Sequence, residues 1–210
     1  SMVHPLIWSV TTKQSVTSTS DIAKQAAAKG APAGSGFLAI QQTAGRGRRG
    51  RPWSSQKGGM YLSVLLRPRV EKKYWFGLSF AASLAVLDTV REKLEPHFCG
   101  QNTPQSGLKW PNDVIVAAGK IAGILLEVEG QTLIVGSGIN IASVPTKNQK
   151  LSNSQAFAHR AIAPVALADI WPQTGKDLPT PHQLANCYMT HLAYWYDKFD
   201  QNGFAPIRDA

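Results

Sequence analysis

Cysteine and long apolar runs are the features that this sequence most clearly lacks. Cys99 and Cys187 are its two cysteines among 210 residues, too few and too far apart for a disulfide framework. No apolar run approaches the roughly 20 residues of a membrane-spanning helix, and the N-terminus lacks the basic and apolar regions of a secretory signal. These absences predict a cytoplasmic protein with free thiols that makes no use of a membrane.

Recognisable metal-binding spacing is missing as well. The sequence contains no CxxC pair, and no two of its five histidines lie with a carboxylate at the spacing of metal ligands. His182 and His191 fall on a predicted helix and are interpreted as packing or surface groups. We therefore predict that the protein holds no metal ion of its own.

The overall composition is that of an ordinary folded domain with a basic surface. Hydrophobic residues make up 43% and charged residues 17% of the chain, and the net charge is +9. We interpret residues 1–4 as a tag remnant and N-terminus, and 5–210 as one domain. A basic surface suits nucleic acid, an anionic nucleotide or an acidic protein, so charge alone leaves the partner open.

The segment 45–53, which reads GRGRRGRPW, is the most informative stretch of the chain. Four arginines and three glycines in nine residues disfavour core, helix and strand. Such a segment can wrap a phosphate-bearing ligand with positive charge and bare backbone N–H groups. A disordered Arg-Gly tether for RNA is the alternative. We favour the ligand loop because the segment occurs once and lies between two apolar runs.

Local patterns predict the elements that flank this loop. Strands are expected at 6–10, 36–41 and 59–66, and helices at 22–29, 75–94 and from Pro181 onward. Phe76 and the other apolar residues of 75–94 are expected in the core. The segment 17–21 offers helix caps, so Ser18 and Thr19 either face a ligand or only form the turn. The segment 143–179 is expected to be irregular.

A β-meander over 113–140 is the strongest secondary-structure signal. Turns are predicted at 117–119 and 129–130, and a Pro-Asn-Asp turn at 111–113 precedes the meander. Glycines at 123, 136 and 138 interrupt its strands, where glycine often marks close approach of a ligand or backbone. Lys120 is therefore either an anion ligand or a solvated edge residue.

Four motifs together resemble biotin protein ligase. They are QTAGRGRRGR at 42–51, KWPND at 109–113, KIAGILLE at 120–127 and GSGIN at 136–140. The resemblance implies an α+β domain with a central, mixed but mostly antiparallel sheet flanked by helices, as in class II synthetases. It also implies that biotin and ATP, with Mg²⁺, form biotinyl-5′-adenylate. The biotinyl group then passes to a lysine of the biotin carboxyl carrier protein of acetyl-CoA carboxylase or a related carboxylase.

The resemblance also assigns site residues. Those that would bind biotin are Ser18, Thr19, Gln42, Gly45, Arg46, Arg48, Lys120, Gly123 and Gly136. Those that would bind the nucleotide are Arg48, Arg49, Arg51, Trp53, Lys109, Asn112, Lys120 and Asn140. The residues assigned to catalysis are Lys120, Arg48, Asp113 and Lys109. Asp113 either accepts the proton of the carrier lysine or only holds a cation in place.

Two departures from the family pattern affect these expectations. Ser20 stands where the family usually has asparagine, a change that a helix cap tolerates. The sequence shows neither the N-terminal helix-turn-helix domain of repressor ligases nor the usual C-terminal SH3-like barrel, so we expect no DNA binding. A weak homodimer is compatible with the resemblance. The alternatives are a lipoate-type ligase of the same fold, a basic nucleic-acid-binding module and a biotin-binding protein without catalysis.

Overall fold

A seven-stranded sheet forms the centre of the computed structural model, which describes residues 6–98, 102–144, 162–173 and 177–210. Its strand order is β1-β2-β3-β7-β6-β5-β4. Only β1 and β2 pair in parallel, and every other pair in the sheet is antiparallel. The strands are β1 Ser9–Val16, β2 Ser35–Gln42, β3 Gly59–Leu66, β4 Ser106–Lys109, β5 Asp113–Val116, β6 Gly119–Glu129 and β7 Thr132–Asn140. This arrangement confirms the predicted α+β fold.

The parallel pair arises from a β-α-β unit at the start of the described chain. Helix α1, Thr19–Ala28, connects β1 to β2, and the Ser18 side chain caps it by accepting from the Ser20 amide. Gly30 follows the helix with φ of +84°, as expected of a residue that ends a helix. The helix begins three residues earlier than predicted. Strand β1 covers Ser9–Val16 rather than the predicted 6–10, because this more polar segment is the one that pairs with β2.

Strand β3 lies inside the sheet, between β2 and β7. All eight of its residues are buried, and this burial explains why Ser63 is the one clearly polar residue in an otherwise apolar strand. The meander β5-β6-β7 extends from it as predicted. Its first turn contains Ala117 and Ala118, both with positive φ, as a tight two-residue hairpin requires. The peptide bond between Trp110 and Pro111 is cis.

Two long helices cover the face of the sheet opposite α1. Helices α2, Gly77–Leu94, and α4, Pro181–Asn202, pack together over the main apolar core. Thr180 caps α4 through a capping box with Gln183. The expectation that Phe76 is core is wrong, since it precedes α2 and is 61% exposed.

The remaining described elements are short. Helix α3, Leu167–Ile170, lies in the segment predicted to be irregular, of which 145–161 and 174–176 fall outside the described residues. Helix α5, Ala205–Arg208, follows α4. Within the described ranges, no helix combines the length and the apolar character that crossing a membrane would need.

Candidate active site

A cleft of about 440 Å³ opens on the α1 face of the sheet, between the start of α1 and the loop that joins β2 to β3. This volume lies within the usual range of small-molecule sites. The predicted site residues that line the cleft are Ser18, Thr19, Gln42, Arg46, Arg48, Arg49, Arg51, Trp53, Asn112, Asp113, Lys120, Gly123 and Gly136. The fold therefore brings together residues that are about 120 positions apart in sequence.

A chain of hydrogen-bonded side chains forms the inner end of the cleft, at the start of α1. The Oγ1 atom of Thr19 donates to Gln42 Oε1 at 3.2 Å and lies 2.7 Å from the Oγ atom of Ser63. Ser20 Oγ lies 3.0 Å from the same Ser63 oxygen. Because Thr19 gives its proton to Gln42, Ser63 donates to Thr19 and Ser20 donates to Ser63. The hydroxyl protons are thus used internally, while oxygen lone pairs remain for a ligand.

Gln42 fixes this chain to the loop on its other side. Its Oε1 atom also accepts from the Thr19 amide at 2.8 Å, and its Nε2 atom donates to Ser55 Oγ at 2.7 Å. Ser55 in turn donates to the carbonyl oxygen of Trp53. Gln42 therefore positions both the helix start and the loop.

Arg46 is held between two carboxylates. Its Nη2 atom lies 2.9 Å from Asp21 Oδ1 and 3.0 Å from Glu127 Oε1, and Lys24 also pairs with Glu127. The hydrogen bond from Arg46 holds the pKa of Asp21 below its usual value, although partial burial opposes the shift. Burial raises the pKa of Glu127, but hydrogen bonds from Lys24 and Arg46 outweigh it and leave the pKa lowered. Arg46 thus ties the loop to α1 and β6.

Beyond Arg46 the chain forms a tight arginine loop over the turn between β4 and β5. The Gly47 amide donates to the Arg51 carbonyl at 2.7 Å, and Arg49 adopts a left-handed conformation with φ of +58°. Arg48 donates from Nη1 to Asn112 Oδ1 at 3.2 Å. The guanidinium groups of Arg48, Arg49 and Arg51 therefore supply positive charge at the outer end of the cleft.

Trp53 lies across β6 and β7 next to these cations. A Cβ atom added to Gly138 would stand 2.7 Å from the indole Nε1, and one added to Gly123 would stand 3.1 Å from the ring. Both glycines leave the space that the indole occupies. The Nζ atom of Lys120 lies 5.4 Å from the Trp53 ring centroid and 2.8 Å from Asp113 Oδ1. Lys120 therefore faces the cleft, not solvent at a sheet edge.

Three residues assigned by resemblance do not line the cleft. Gly45 lies under the loop, where an added Cβ would stand 2.5 Å from the Trp53 carbonyl oxygen, so its lack of a side chain permits the loop path. Lys109 is exposed at the end of β4. Asn140 is buried and donates to the carbonyl oxygens of Lys120 and Val165, which holds the start of β6 in place.

Four contributing residues were not assigned from the sequence. Ser20 and Ser63 belong to the hydroxyl chain, and Asp21 and Glu127 hold Arg46. Ser63 could have been noticed as the one polar residue in the apolar run of β3. Glu127 closes a motif that was recognised, but its partner lies 81 residues away in sequence and leaves no local signal.

The cleft combines two chemically different ends. Its inner end presents neutral hydroxyl and amide groups, and its outer end presents Arg48, Arg49, Arg51 and Lys120 beside an indole face. Such a site can bind one neutral polar ligand and one phosphate-bearing ligand with an aromatic base, and can hold them in contact.

Comparison with known proteins agrees with this geometry. Residues 12–142 match the model of the biotin/lipoate A/B protein ligase family. A biotin–[acetyl-CoA-carboxylase] ligase of Paracoccus denitrificans is 35% identical over 178 residues, which cover 82% of this chain and 67% of that protein. A ligase of the same name from Mycobacterium tuberculosis is 39% identical over 134 residues, 63% of this chain and 48% of that protein.

The fold comparison gives the same relationship. A biotin protein ligase from Aquifex aeolicus, solved in complex with biotin and ATP, aligns with a TM-score of 0.73 and 29% identity. The alignment covers 95% of this chain and 75% of that one. The chain thus spans about two thirds of the first curated relative and about half of the second, whose shares are 67% and 48%.

Proposed function

The chain belongs to the biotin/lipoate A/B protein ligase family, and from that premise we propose that it is a biotin protein ligase. It activates biotin with ATP and transfers the biotinyl group to a lysine of a carrier protein. The observation that carries the proposal is that one cleft has both a neutral polar end and a cationic end. The carboxylate of biotin and the triphosphate of ATP are both anions, so positive charge beside a neutral polar pocket is needed to bring them into contact.

We assign the inner end to the ring system of biotin. The ureido group of biotin carries two N–H donors and one carbonyl acceptor. The lone pairs of Ser20 and Ser63 suit the donors, and the Ser18 hydroxyl, which accepts from the Ser20 amide, has its own proton for the carbonyl. Gly136 widens this end, since an added Cβ would stand 3.1 Å from Ser20 Oγ.

We assign the outer end to the nucleotide. The Trp53 indole offers an aromatic face for adenine, and Arg48, Arg49, Arg51 and Lys120 offer charge for the phosphates. Arg46 anchors the loop through the pairing of its Nη2 atom with Asp21 and Glu127. It also lines the cleft, so a contact of its other donors with biotin stays a prediction. Gly45 and Asn140 support the site from outside the cleft, and a contact of the exposed Lys109 with the nucleotide stays a prediction.

The first half-reaction needs alignment and charge neutralisation more than acid–base chemistry. A carboxylate oxygen of biotin attacks the α-phosphorus of ATP, the bond to the β-phosphate oxygen breaks, and pyrophosphate leaves. Arg48 and Lys120 stabilise the negative charge that develops on the phosphate oxygens, in a site where they are already positioned by Asn112 and Asp113.

Magnesium fits this scheme as an ion that arrives with ATP. Asp113 is the one carboxylate among the described residues that line the cleft, and it is paired with Lys120. Mg²⁺ usually binds substrate phosphates with few protein ligands and there neutralises phosphate charge. No side chain of the cleft is assigned to hold the ion on its own.

In the second half-reaction the neutral amine of the carrier lysine attacks the carbonyl carbon of biotinyl-5′-adenylate. An amide bond forms between the lysine nitrogen and the biotinyl carbon, the bond from that carbon to the phosphate oxygen breaks, and AMP leaves. The nitrogen gives up one proton to a base or to solvent. The carrier we propose is the biotin carboxyl carrier protein of acetyl-CoA carboxylase or a related carboxylase, the class of enzyme in the names of the curated relatives.

Incubation with biotin and Mg-ATP labelled at the α-phosphate tests the proposal. We expect biotin-dependent label in biotinyl-adenylate, and transfer of biotin when a carrier domain is added. Arg48→Ala and Lys120→Gln should reduce adenylate formation strongly, whereas Lys13→Ala, which removes an exposed lysine of β1, should not. Label that appears equally with lipoate would indicate the lipoate-type activity of the same family, and absence of any adenylate would contradict the proposal.

A further inference from the structure

A second cluster of reactive side chains lies between the two long helices, away from the cleft. Helices α2 and α4 run antiparallel, since Gly77 at the start of α2 meets the ring of Phe199 near the end of α4, whereas Glu92 meets Cys187. Positions four apart on a helix share one face. Cys187 and His191 therefore project together from α4 toward Glu92 of α2.

The three side chains converge on one point. The Oε2 atom of Glu92 lies 3.0 Å from Cys187 Sγ and 2.6 Å from His191 Nε2. All three potential ligand atoms lie within 4.8 Å of one another. In a tetrahedral zinc site neighbouring ligand atoms are separated by roughly 3.3–3.7 Å, so each observed contact needs to open by less than about 1 Å. Glu92 can make that adjustment because its side chain is 53% exposed.

A second carboxylate lies near the other ring nitrogen of His191. The Nδ1 atom of His191 faces Asp88 Oδ2 at 4.0 Å, while Nε2 faces the cluster. Asp88 Oδ2 is itself fixed by a hydrogen bond of 2.8 Å from Trp195 Nε1. At 4.0 Å the two groups are not hydrogen-bonded in the ion-free protein, but a shift of about 1 Å would let Nδ1–H donate to Asp88. That contact is the one that sets the tautomer and orientation of zinc-binding histidines.

From this geometry we propose that Cys187, His191 and Glu92 bind a divalent cation of zinc type, with Asp88 as the positioning residue for His191. Thiolate, imidazole and carboxylate together suit Zn²⁺, and hard ions such as Mg²⁺ prefer oxygen ligands alone. Three protein ligands leave a fourth position for water or for a ligand from solution. The ion would clamp α2 to α4.

Binding requires that Cys187 lose its proton. In the ion-free protein the Cys187 thiol donates a hydrogen bond to Glu92 Oε2. The bond to the ion replaces the S–H bond, and the proton passes to solvent. Each binding event should therefore release a proton.

The site is independent of the cleft. Trp53 and Ser20 contact glycines of β7 on the α1 face, whereas α2 and α4 cover the opposite face of the sheet. Loss of the ion site should thus leave adenylate formation unchanged. Ion binding between α2 and α4 can therefore be measured independently of the proposed ligase activity.

Titration of the chain, without an affinity tag, with Zn²⁺ and with Co²⁺ tests the proposal. We expect saturable binding of one ion, a thiolate-to-cobalt charge-transfer band, and a higher melting temperature with Zn²⁺. Cys187→Ser should abolish the band. Glu92→Gln and His191→Gln should weaken binding by more than tenfold, and Asp88→Asn by about 10- to 100-fold, the usual effect of an outer-shell partner.

Matched controls use residues of the same type. Cys99→Ser retains the cluster thiol, and His182→Gln removes a histidine of α4 whose hydrogen-bond partner is Thr12, so both should bind Co²⁺ like wild type. Equal melting temperatures of the ion-free variants show that they remain folded. Absence of stoichiometric binding by wild type, a band that persists in Cys187→Ser or a band lost in Cys99→Ser would overturn the proposal.

Discussion

Trp53 occupies space that exists because residue 138 is glycine. A Cβ atom at position 138 would stand 2.7 Å from Nε1 and 2.8 Å from Cε2 of the indole, closer than such contacts allow. The indole therefore lies flat against β7, on the strand that also forms part of the cleft. Position 138 thus sets where the aromatic face stands relative to the cations of the arginine loop.

Gly138→Ala should displace Trp53 and weaken ATP binding. Stacking of a base on an aromatic side chain is worth about 1–3 kcal/mol, so we expect the KM for ATP in adenylate formation to rise about tenfold or more. The fold should persist, because alanine is tolerated in a strand. Steady-state adenylate formation over a range of ATP concentrations measures the effect.

Gly107→Ala is the matched control for this prediction. It makes the same substitution in β4 of the same sheet, but an added Cβ there has no described atom within 4 Å. An equal rise of the KM for ATP in both variants would contradict the role of position 138.

Local signals predicted some elements well because their causes are local. The apolar run of β3 and the Thr180-Pro181 cap of α4 each lie within a few residues, so their bounds agree with the structure. Phe76 was misplaced because helical spacing continues through a residue that lies before the helix start. Helical spacing alone does not show on which side of the helix start a residue lies.

The sequence predicted those site residues that belong to recognised motifs. It did not predict pairs of side chains that are far apart in sequence and come together only in the folded protein. The positions of Arg48 and Lys120 in the cleft follow from the motifs. The ion pair of Glu127 with Arg46 depends instead on how β6 packs against the loop between β2 and β3. The contact of Cys187 with Glu92 likewise depends on the register of two packed helices. A search for paired histidines within one segment cannot detect such a cluster.

Arg46→Gln should destabilise the protein in a pH-dependent manner. The pKa values of Asp21 and Glu127 are lowered in the folded protein, so their pairing with Arg46 stabilises it above the unfolded pKa of about 4. That contribution is lost as the pH falls through the lowered folded pKa values. Because these side chains are 20–34% exposed, we expect a loss of only about 1 kcal/mol at pH 7.

Urea unfolding of both proteins between pH 7 and pH 3 measures this difference. The gap in unfolding free energy between wild type and Arg46→Gln should shrink toward zero at the acid end. Arg67→Gln serves as control, since Arg67 donates to a backbone carbonyl and its effect should not follow carboxylate titration. A difference in unfolding free energy that stays constant over this pH range would argue against stabilising ion pairs of Arg46 with Asp21 and Glu127.

Ser63→Ala should weaken biotin binding. Ser63 is fully buried and its hydroxyl links Thr19 to Ser20, so its removal leaves the inner end of the cleft with a broken hydrogen-bond chain. Loss of such a bond costs about 1 kcal/mol or more, and we expect a Kd for biotin that rises about tenfold. Isothermal titration with biotin measures it. Ser83→Ala removes a buried hydroxyl whose described hydrogen bond is to the Ser79 carbonyl oxygen within α2, and it should bind biotin like wild type.

Asp113→Asn distinguishes two roles for this carboxylate. Its Oδ1 atom lies 2.8 Å from Lys120 Nζ, and Lys120 faces the phosphate end of the cleft. If Asp113 served only as the base for the carrier lysine, the variant would form biotinyl-adenylate normally and transfer it slowly. The observed pairing favours a positioning role instead. We therefore expect adenylate formation itself to fall about tenfold, because Lys120 loses its fixed orientation.

Rapid-quench measurement of the two half-reactions separates these outcomes. Adenylate formation is followed with labelled ATP in the absence of carrier, and transfer is followed from preformed biotinyl-adenylate. Glu129→Gln removes an exposed carboxylate at the end of β6 and should affect neither step. A defect of Asp113→Asn confined to transfer would assign the carboxylate to proton acceptance. A defect in both steps would mean that Asp113 acts by holding Lys120 in the orientation that binds phosphate.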